Sequence, residues 1–240
     1  MSLLVAWHDV ECGSYDVDLA LWSALAAAHG GGEPVLDVGA GTGRVTLHLA
    51  SQGHPVVALD TEPVFLDAHR ERGDGLPVET AVGDARTMDL GRRFGLVIAP
   101  MQTMQLLGGP AGRASFLAAA RAHLLPGGVL AAAIAHPLEA FDAQVAGAPE
   151  PDLGEADGVQ LVSRPVAIRD EGDRVALVRE REAIDPDGTQ TVEQDVIHLD
   201  RLAPEALAAE GAAMGLTPAA PMHIPATPDY IDSTVVIWHA

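Results

Sequence analysis

Three glycines stand at every second position directly after a short apolar run, and an acid precedes them. The run covers residues 34–38, the glycines are Gly39, Gly41 and Gly43, and the acid is Asp37. An apolar run bounded by glycine predicts a buried strand. Glycines allow the chain to turn sharply and to pass close to a ligand, because they carry no side chain. Ligands of open α/β sheets bind outside the carboxyl ends of the strands, so the sequence predicts a nucleotide-type site here.

Two kinds of nucleotide site use such glycines, and the spacing separates them. A dinucleotide site needs Gly-x-Gly-x-x-Gly, but here the third glycine comes one residue early and Arg44 stands in the expected place. Asp37 would also repel a pyrophosphate, whereas it suits a cationic group such as an amino acid's ammonium, reached directly or through water. A nicotinamide-dependent oxidoreductase is therefore disfavoured.

The pattern Asp37-x-Gly39-x-Gly41-x-Gly43 resembles the first motif of the class I S-adenosylmethionine-dependent methyltransferases of small-molecule type, and all four positions match. The resemblance implies S-adenosylmethionine as cofactor and S-adenosylhomocysteine as product. It covers residues 34–136 in detail and residues 200–240 more loosely. The cofactor-binding residues that it implies are Tyr15, Asp37, Gly39, Ala40, Gly41, Gly43, Asp60, Thr61, Asp84, Ala85, Arg86, Pro100 and Met101.

Two acids downstream extend the resemblance. Asp60 ends the second predicted strand, 17 residues after Gly43, where the family has an acid that accepts hydrogen bonds from both ribose hydroxyls. Asp84 resembles the acid that binds the adenine amino group, with Ala85 and Arg86 alongside the ring. Taken singly, Asp60 could cap the following helix and Asp84 could satisfy a turn.

Candidates for the chemistry of the acceptor are fewer. Methyl transfer chiefly requires alignment of a nucleophile, and a general base is needed only if that atom must lose a proton. His136 ends the fifth predicted strand, and His8 lies in the N-terminal segment; both are candidate bases, although His136 could equally be structural. Gln105 is a candidate for orienting the acceptor, and Met101 for packing on adenine, although methionine at such spacing is as often core. In the family, a leader tyrosine such as Tyr15 touches the cofactor or closes the pocket.

The elements around these residues alternate between strand and helix. Strands are predicted at 34–38, 55–59, 77–82, 94–100 and 129–135, with helices at 44–52, 62–72 and 111–124, the last stopped by the turn at 126–128. Such alternation requires crossover connections and a parallel sheet covered on both faces. Three extended segments with hairpin turns follow at 159–169, 174–184 and 190–199, and a helix at 204–214 precedes closing strands at 216–224 and 234–238.

The predicted fold is therefore a single α/β domain with a Rossmann-like, doubly wound, mostly parallel seven-stranded sheet and an antiparallel β-meander inserted after strand five. Residues 1–33 form a helical cap, 34–136 the cofactor-binding core, 143–200 a linker and meander lid, and 201–240 the closing helix and strands. The segment from about 142 to 158 is interpreted as a mobile linker. Alternating charges at Arg179, Glu180, Arg181 and Glu182 predict a solvated face of the meander.

Composition narrows the classes of function. The chain has 240 residues and a formal net charge of −20, with no lysine and no basic stripe, which disfavours nucleic-acid partners. The single cysteine, Cys12, excludes an internal disulfide and a cysteine-based zinc site, and suits a reducing cytoplasm. Neither a signal peptide nor a membrane span is recognised. We expect no metal; His136, Glu139 and Asp142 form only a faint candidate set.

The sequence thus predicts methyl transfer to a nitrogen or oxygen of a small metabolite or natural product. The same fold also hosts non-methylating reactions, cyclisation or decarboxylation, and regulatory proteins that hold the cofactor without turnover. These alternatives stay open, as does the identity of the acceptor. A homodimer that pairs through an edge of the meander is one option for the oligomeric state.

Overall fold

The helices and strands of the first half follow the predicted order. The computed structural model describes residues 2–227 and 230–240, and strands and helices alternate from residue 35 to residue 135 except that the fourth strand follows the third directly. These elements are α1 (Leu3–Cys12), α2 (Leu19–His29), β1 (Val35–Val38), α3 (Arg44–Ser51), β2 (Val56–Asp60), α4 (Pro63–Arg72), β3 (Val78–Val82), β4 (Phe94–Ala99), a 3-10 helix (Thr103–Leu106), α5 (Gly109–Ala122) and β5 (Leu124–Ala135). Proline starts α4, as expected at a position whose N–H has no helical partner.

The second half supplies the inserted sheet and closes the first one. Its elements are β6 (Phe141–Asp142), α6 (Ala143–Ala146), β7 (Asp152–Ala156), β8 (Val159–Asp170), β9 (Arg174–Ile184), β10 (Gln190–Asp200), α7 (Pro204–Ala213), β11 (Thr217–Pro218), β12 (Met222–Ile224) and β13 (Ser233–His239). The meander β8–β9–β10 is antiparallel throughout, which confirms the predicted insertion.

The main sheet has the order β11-β13-β5-β4-β1-β2-β3, in which β12 also pairs with β13. Strands β1 to β5 pair in parallel, whereas β13 runs antiparallel to β5. Both β11 and β12 pair with β13, and together they form the single closing strand predicted at 216–224, so the sheet has seven positions. The Rossmann-like doubly wound fold is therefore confirmed.

Apolar clusters cover both faces of the main sheet, as a parallel sheet requires. One cluster joins Phe94 and Leu130 to side chains of α5 and α7. The other, on the opposite face, joins Val35 and Leu96 to side chains of α2 and α3. The layers leave the carboxyl ends of β1 to β5 as the edge where the connecting loops meet. In the described part of the chain, no helix is long and apolar enough to cross a membrane.

Two local predictions are wrong. The segment at 142–158 is not a plain linker, because β7 lies within it and pairs antiparallel with β8. The turn at 126–128 does not stop α5, which already ends at Ala122; it lies inside β5, where the register with β4 shifts between Phe94 and Leu96.

The alternating charges of β9 divide between the two faces of the meander. Alternate residues of a strand point to opposite faces, so Arg179 and Arg181 share one face and Glu180 and Glu182 the other. The arginine face lies against α1, where Glu11 accepts hydrogen bonds from Arg181 at 2.7 Å and contacts the Arg179 guanidinium at 3.3 Å. These three side chains are largely buried. The arginines therefore attach the N-terminal helix to the inserted sheet rather than facing solvent.

Replacement of Glu11 by alanine should lower the free energy of unfolding by about 3 kcal/mol, because it leaves two buried arginines with one carboxylate fewer. The arginines keep Asp152 and Asp195 as partners, which places the effect at the lower end of the usual range. Urea unfolding followed by circular dichroism measures the difference. Glu155→Ala, at an exposed acid of β7, is the matched control and should change stability by less than about 0.5 kcal/mol. Equal stability of the two variants would contradict the role of Glu11.

Candidate active site

The glycine loop after β1 is built from left-handed backbone that side chains do not tolerate. Gly39 has φ +70° and Gly41 has φ +56°. A Cβ atom at Gly39 would lie 2.7 Å from the Thr103 hydroxyl oxygen, and one at Gly41 would lie 2.5 Å from the ring of His8. Glycine is therefore required at both positions by the backbone conformation and by the lack of room for a side chain. The groups that approach the loop closely are Thr103 and His8 of the chain itself.

Arg44 occupies the position where a dinucleotide site has its third glycine, and its side chain binds the segment between α1 and α2. Its guanidinium makes two hydrogen bonds to the buried carboxylate of Asp18, at 2.5 and 2.9 Å, and a third to the carbonyl of Tyr15 at 2.7 Å. Asp18 also accepts the indole N–H of Trp22. These bonds fix the turn that carries Tyr15. The role of Asp18 was not predicted from the sequence, in which only Trp22, four residues later, indicates a buried partner for this acid.

Asp37 lies on β1 beneath this loop and is fully enclosed. The Thr46 hydroxyl donates to its Oδ2 atom at 2.7 Å, whereas its Oδ1 atom has no hydrogen-bond partner among the described residues. Burial raises the pKa of Asp37 to about 7, although the bond from Thr46 acts in the opposite direction. A buried oxygen without a donor is unfavourable, which makes Asp37 a receptor for a donor group supplied from outside the chain.

Asp60 ends β2 and is held in place by the backbone. Its Oδ2 atom accepts the N–H of Gly41 at 2.8 Å, and its Oδ1 atom accepts the N–H of Glu62 at 2.9 Å. The second bond is the structural alternative considered for this acid, since it satisfies an N–H at the start of α4. Each carboxylate oxygen can accept a further hydrogen bond, so these contacts orient Asp60 and leave it able to bind a hydroxyl.

His69 was not identified from the sequence, yet it holds the other side of the same glycine. This buried residue of α4 donates from Nε2 to the carbonyl of Gly41 at 2.8 Å. The N–H of Gly41 goes to Asp60, so both polar groups of the residue are fixed by side chains. Burial lowers the pKa of His69, which keeps the ring neutral. The only signal in the sequence is a histidine three residues after the buried Leu66.

Asp84 and Arg86, in the loop after β3, form a close ion pair. Arg86 Nη2 lies 2.6 Å from Asp84 Oδ2, and hydrogen bonds from Arg86 lower the pKa of the Asp84 carboxyl. Ala85 between them is buried. The backbone N–H of Arg86 also donates a hydrogen bond to Asp84 Oδ1, which is the turn role considered for this acid. The roles implied for these residues at adenine stay predictions.

The loop after β4 carries the one strained residue near the site. Pro100 is buried and Met101 has φ +54°, a conformation that methionine rarely adopts and that costs about 1–3 kcal/mol. Such outliers concentrate at functional sites. Met101, Gln102 and Thr103 are half-buried and carry no charge, while Thr61 after β2 is exposed. The residues at the carboxyl end of β4 are therefore uncharged and partly accessible.

The role predicted for Gln105 does not fit its surroundings. Its Oε1 atom accepts the N–H of Ala135 at 2.9 Å, and its Nε2 atom donates to the carbonyls of Ala135 and Asp200 at 3.1 and 3.0 Å. The side chain is buried, and both donors of its amide are in use. Gln105 ties the 3-10 helix to β5 and β10, so we correct its assignment from orienting the acceptor to positioning the strand end.

Tyr15 and His136 lie at the carboxyl end of β5. Tyr15 is buried near Ser233, which pairs with Ala135, the residue before His136. Burial raises the pKa of the Tyr15 hydroxyl, so it stays protonated at neutral pH. The ring of half-buried His136 has no hydrogen-bond partner in the described part of the chain, which leaves both its nitrogens available. The structure does not bring His136, Glu139 and Asp142 together, since no group of three such side chains lies close enough to hold a metal ion among the described residues.

Comparison with a family model now assigns the core. Residues 35–128, from β1 into β5, match the model described as a methyltransferase domain. Over residues 35–128 the chain therefore matches a methyltransferase domain, and the S-adenosylmethionine-dependent class that the glycine motif predicts is confirmed for this core. Comparison of the sequence with curated proteins gives no match.

Solved structures resemble this chain over nearly its whole length. The amino pentose methyltransferase CalS10 from Micromonospora echinaspora, solved with S-adenosylmethionine bound, has 25% identity and a TM-score of 0.74, over 100% of this chain and 97% of CalS10. The sugar N-methyltransferase KedS8 from Streptoalloteichus sp ATCC 53650 has 22% identity and a TM-score of 0.72, over 98% and 94%. The glycopeptide N-methyltransferase MtfA, complexed with S-adenosyl-L-homocysteine, has 23% identity and a TM-score of 0.63, over 92% and 86%.

The residues present fit S-adenosylmethionine. The cofactor of the methyltransferase carries an ammonium group, two ribose hydroxyls and an adenine, and the chain offers an unpartnered buried carboxylate oxygen at Asp37 and a fixed carboxylate at Asp60. We therefore propose that Asp37 binds the ammonium and that Asp60 binds a ribose hydroxyl. These residue assignments lead to two measurements.

Binding of S-adenosylhomocysteine should release a proton below about pH 7. Free Asp37 has a pKa of about 7, and a bound ammonium favours its charged form, so the pKa falls on binding and the affinity rises with pH up to that value. Titration calorimetry in buffers of different ionisation enthalpy should therefore detect proton release at about pH 6 and little at about pH 8. Asp37→Asn should abolish the release. Equal proton release by this variant would assign the titration to another group.

Replacement of Asp60 by alanine should weaken binding of S-adenosylhomocysteine by about 100-fold. The variant removes a charged acceptor of ribose hydroxyls and also frees the N–H of Gly41, each worth roughly 1.5 kcal/mol. Calorimetric titration measures the affinity, and the thermal unfolding curve verifies that the fold persists. Asp67→Ala, at an exposed acid on α4, is the control and should bind normally. Unchanged affinity of Asp60→Ala would contradict the ribose assignment.

Proposed function

We propose that the enzyme transfers the methyl group of S-adenosylmethionine to the nitrogen of a small natural-product amine of the amino-sugar class. The observation that carries this proposal is the similarity to the amino pentose methyltransferase CalS10, which extends over the cap and the meander as well as the core. The sugar and glycopeptide N-methyltransferases share this whole-chain architecture. Oxygen methylation of the same class of acceptor is the alternative.

The properties of the chain suit an amine that arrives as a cation. A formal net charge of −20 attracts cations to the enzyme and repels polyanions. Met101, Gln102 and Thr103 at the end of β4 are neutral, so no fixed charge there pairs permanently with an ammonium. In this proposal α1 and the meander, joined through Glu11 and its arginines, cover the acceptor and exclude water.

When bound, the cofactor supplies an electrophilic methyl carbon attached to a sulfonium. The residues of the chain must hold the acceptor in line with that carbon and take its proton. Transfer forms a nitrogen–carbon bond, breaks the sulfur–carbon bond and leaves a neutral thioether. The nitrogen needs a free lone pair, so an ammonium must lose its proton first. His136, unpartnered at the end of β5, accepts that proton in this proposal, and Tyr15 limits the space beside it.

The test is a screen of matched acceptors that differ only in one group. Purified enzyme is incubated with S-adenosylmethionine and with pairs of glycosides that carry either an amino or a hydroxyl group at the same carbon. We expect S-adenosylhomocysteine and a singly methylated product from amino members only, detected by mass spectrometry and located by NMR. Product from hydroxyl members alone would favour oxygen methylation. Cofactor binding with no methylated product from any member would overturn the proposal, and incubation without enzyme is the control for uncatalysed methylation.

Replacement of His136 by alanine should lower kcat for the amine by about 100-fold or more at a pH where the amine is protonated. The affinity for S-adenosylhomocysteine should not change, because the residue acts on the acceptor. The loss should shrink as the pH approaches the pKa of the amine, since solvent then supplies the free base. His223→Ala, at an exposed histidine of β12, is the control. A uniform loss at every pH would indicate that His136 only shapes the pocket.

A further inference from the structure

We propose that His8 on α1 is a cofactor-binding residue whose Nε2 atom accepts a hydrogen bond from one ribose hydroxyl of S-adenosylmethionine. The match to the methyltransferase family model begins at residue 35, so that match assigns no function to α1. From the sequence, His8 was a candidate base for the acceptor. Its place in the structure indicates a different partner.

The ring of His8 lies on the glycine loop. Its Cε1 and Nε2 atoms are 2.5 Å from the position that a Cβ atom at Gly41 would occupy, so the imidazole edge rests directly on this glycine. Phe65 of α4 packs against the ring with centroids 4.6 Å apart. The N–H of the same Gly41 is bound by Asp60. His8 and the acid assigned to the ribose therefore meet at one residue of the loop.

Hydrogen bonds around Thr42 determine which nitrogen of His8 carries the proton. The Thr42 hydroxyl lies 2.6 Å from Asp9 Oδ1, and a carboxylate can only accept, so Thr42 donates its single proton there. Thr42 Oγ1 also lies 3.1 Å from His8 Nδ1, and it can only accept this bond, so Nδ1 is the donor. Arg72 holds Asp9 at 3.0 Å on the other side. A neutral His8 with its proton on Nδ1 has a free lone pair on Nε2.

The Nε2 atom is in a position to use that lone pair. Burial lowers the pKa of His8 despite the nearby acids, so the ring is neutral at neutral pH. Nε2 has no hydrogen bond within the described residues, and it is not among the enclosed polar atoms without a partner. Nε2 is therefore not fully enclosed, and it lies beside Gly41 at the edge of the glycine loop.

The state of Asp60 explains why a second acceptor is useful. Its two oxygens already accept the N–H groups of Gly41 and Glu62, which leaves one weakened position on each. A ribose presents two hydroxyls, each with one proton to donate. In our proposal one hydroxyl donates to Asp60 and the other to His8 Nε2. The division departs from the family resemblance, in which the acid accepts both.

The test compares His8→Phe with the wild-type protein in calorimetric titrations with S-adenosylhomocysteine and with its 2′-deoxy and 3′-deoxy analogues. Phenylalanine keeps a ring against Phe65 and removes the nitrogens. We expect about tenfold weaker binding of S-adenosylhomocysteine, since one neutral hydrogen bond is lost. For the analogue that lacks the hydroxyl bound by His8, the variant and the wild type should bind equally. His198→Phe, at an exposed histidine of β10, is the control and should bind all three ligands normally.

Two further variants separate the hydrogen bond from packing. Thr42→Val removes the acceptor that fixes the His8 proton on Nδ1 and should weaken binding, whereas Thr42→Ser keeps that acceptor and should not. Wild-type affinity in His8→Phe, or an equal loss for both deoxy analogues, would overturn the proposal. No measurement involves the methyl acceptor, so these results do not depend on the proposed function. Absence of binding by the wild type would instead overturn the cofactor assignment and this proposal with it.

Discussion

The arrangement of the site depends on how one peptide segment, at Gly41, is held. Its N–H is bound by Asp60 from β2, its carbonyl by His69 from α4, and its Cα face is covered by His8 from α1. A left-handed loop without side chains is intrinsically flexible, because glycine has more accessible conformations than any other residue. Three contacts from three different elements remove that freedom before a ligand arrives. Binding then costs less ordering of the loop, which is the general advantage of a preorganised site.

Helix α1 connects this loop to the inserted sheet. One end of the connection is His8 and Asp9, which bind Thr42 after the second glycine, and the other is Glu11, which lies among the arginines of β9. Glu11 and His8 are three residues apart on one helix, so a shift of α1 moves both. The meander is therefore attached to the glycine loop through one short helix. This attachment accounts for the buried arginines on one face of the meander, a contact that the charge pattern alone does not predict.

The parts that the sequence predicted well are those that depend on local patterns. Apolar runs and turn residues predicted β1 to β5, the three meander strands and α7, because burial and turn chemistry act over a few residues. The glycine spacing and the acids Asp37 and Asp60 predicted the cofactor, since backbone approach demands residue types at fixed positions. The parts that failed depend on distant partners. Gln105 was assigned to the acceptor from its place after the fourth strand, because the sequence does not show that its amide bonds to β5 and β10, 30 and 95 positions away in the chain.

His69 and Asp18 were missed for the same reason. They differ in whether all their buried polar atoms have hydrogen-bond partners. Asp18 is buried with every oxygen paired by Arg44 and Trp22, which is how a structural charge is tolerated. Among the described residues, enclosed polar side-chain atoms without a partner are Trp7 Nε1, Asp37 Oδ1 and His69 Nδ1. Two of these three belong to residues that flank the glycine loop. A buried acceptor without a donor destabilises the folded chain, so its retention is better explained by a bound group than by stability. A cation is the group that fits Asp37, because burial raises the pKa of its carboxyl and a nearby positive charge favours the charged form.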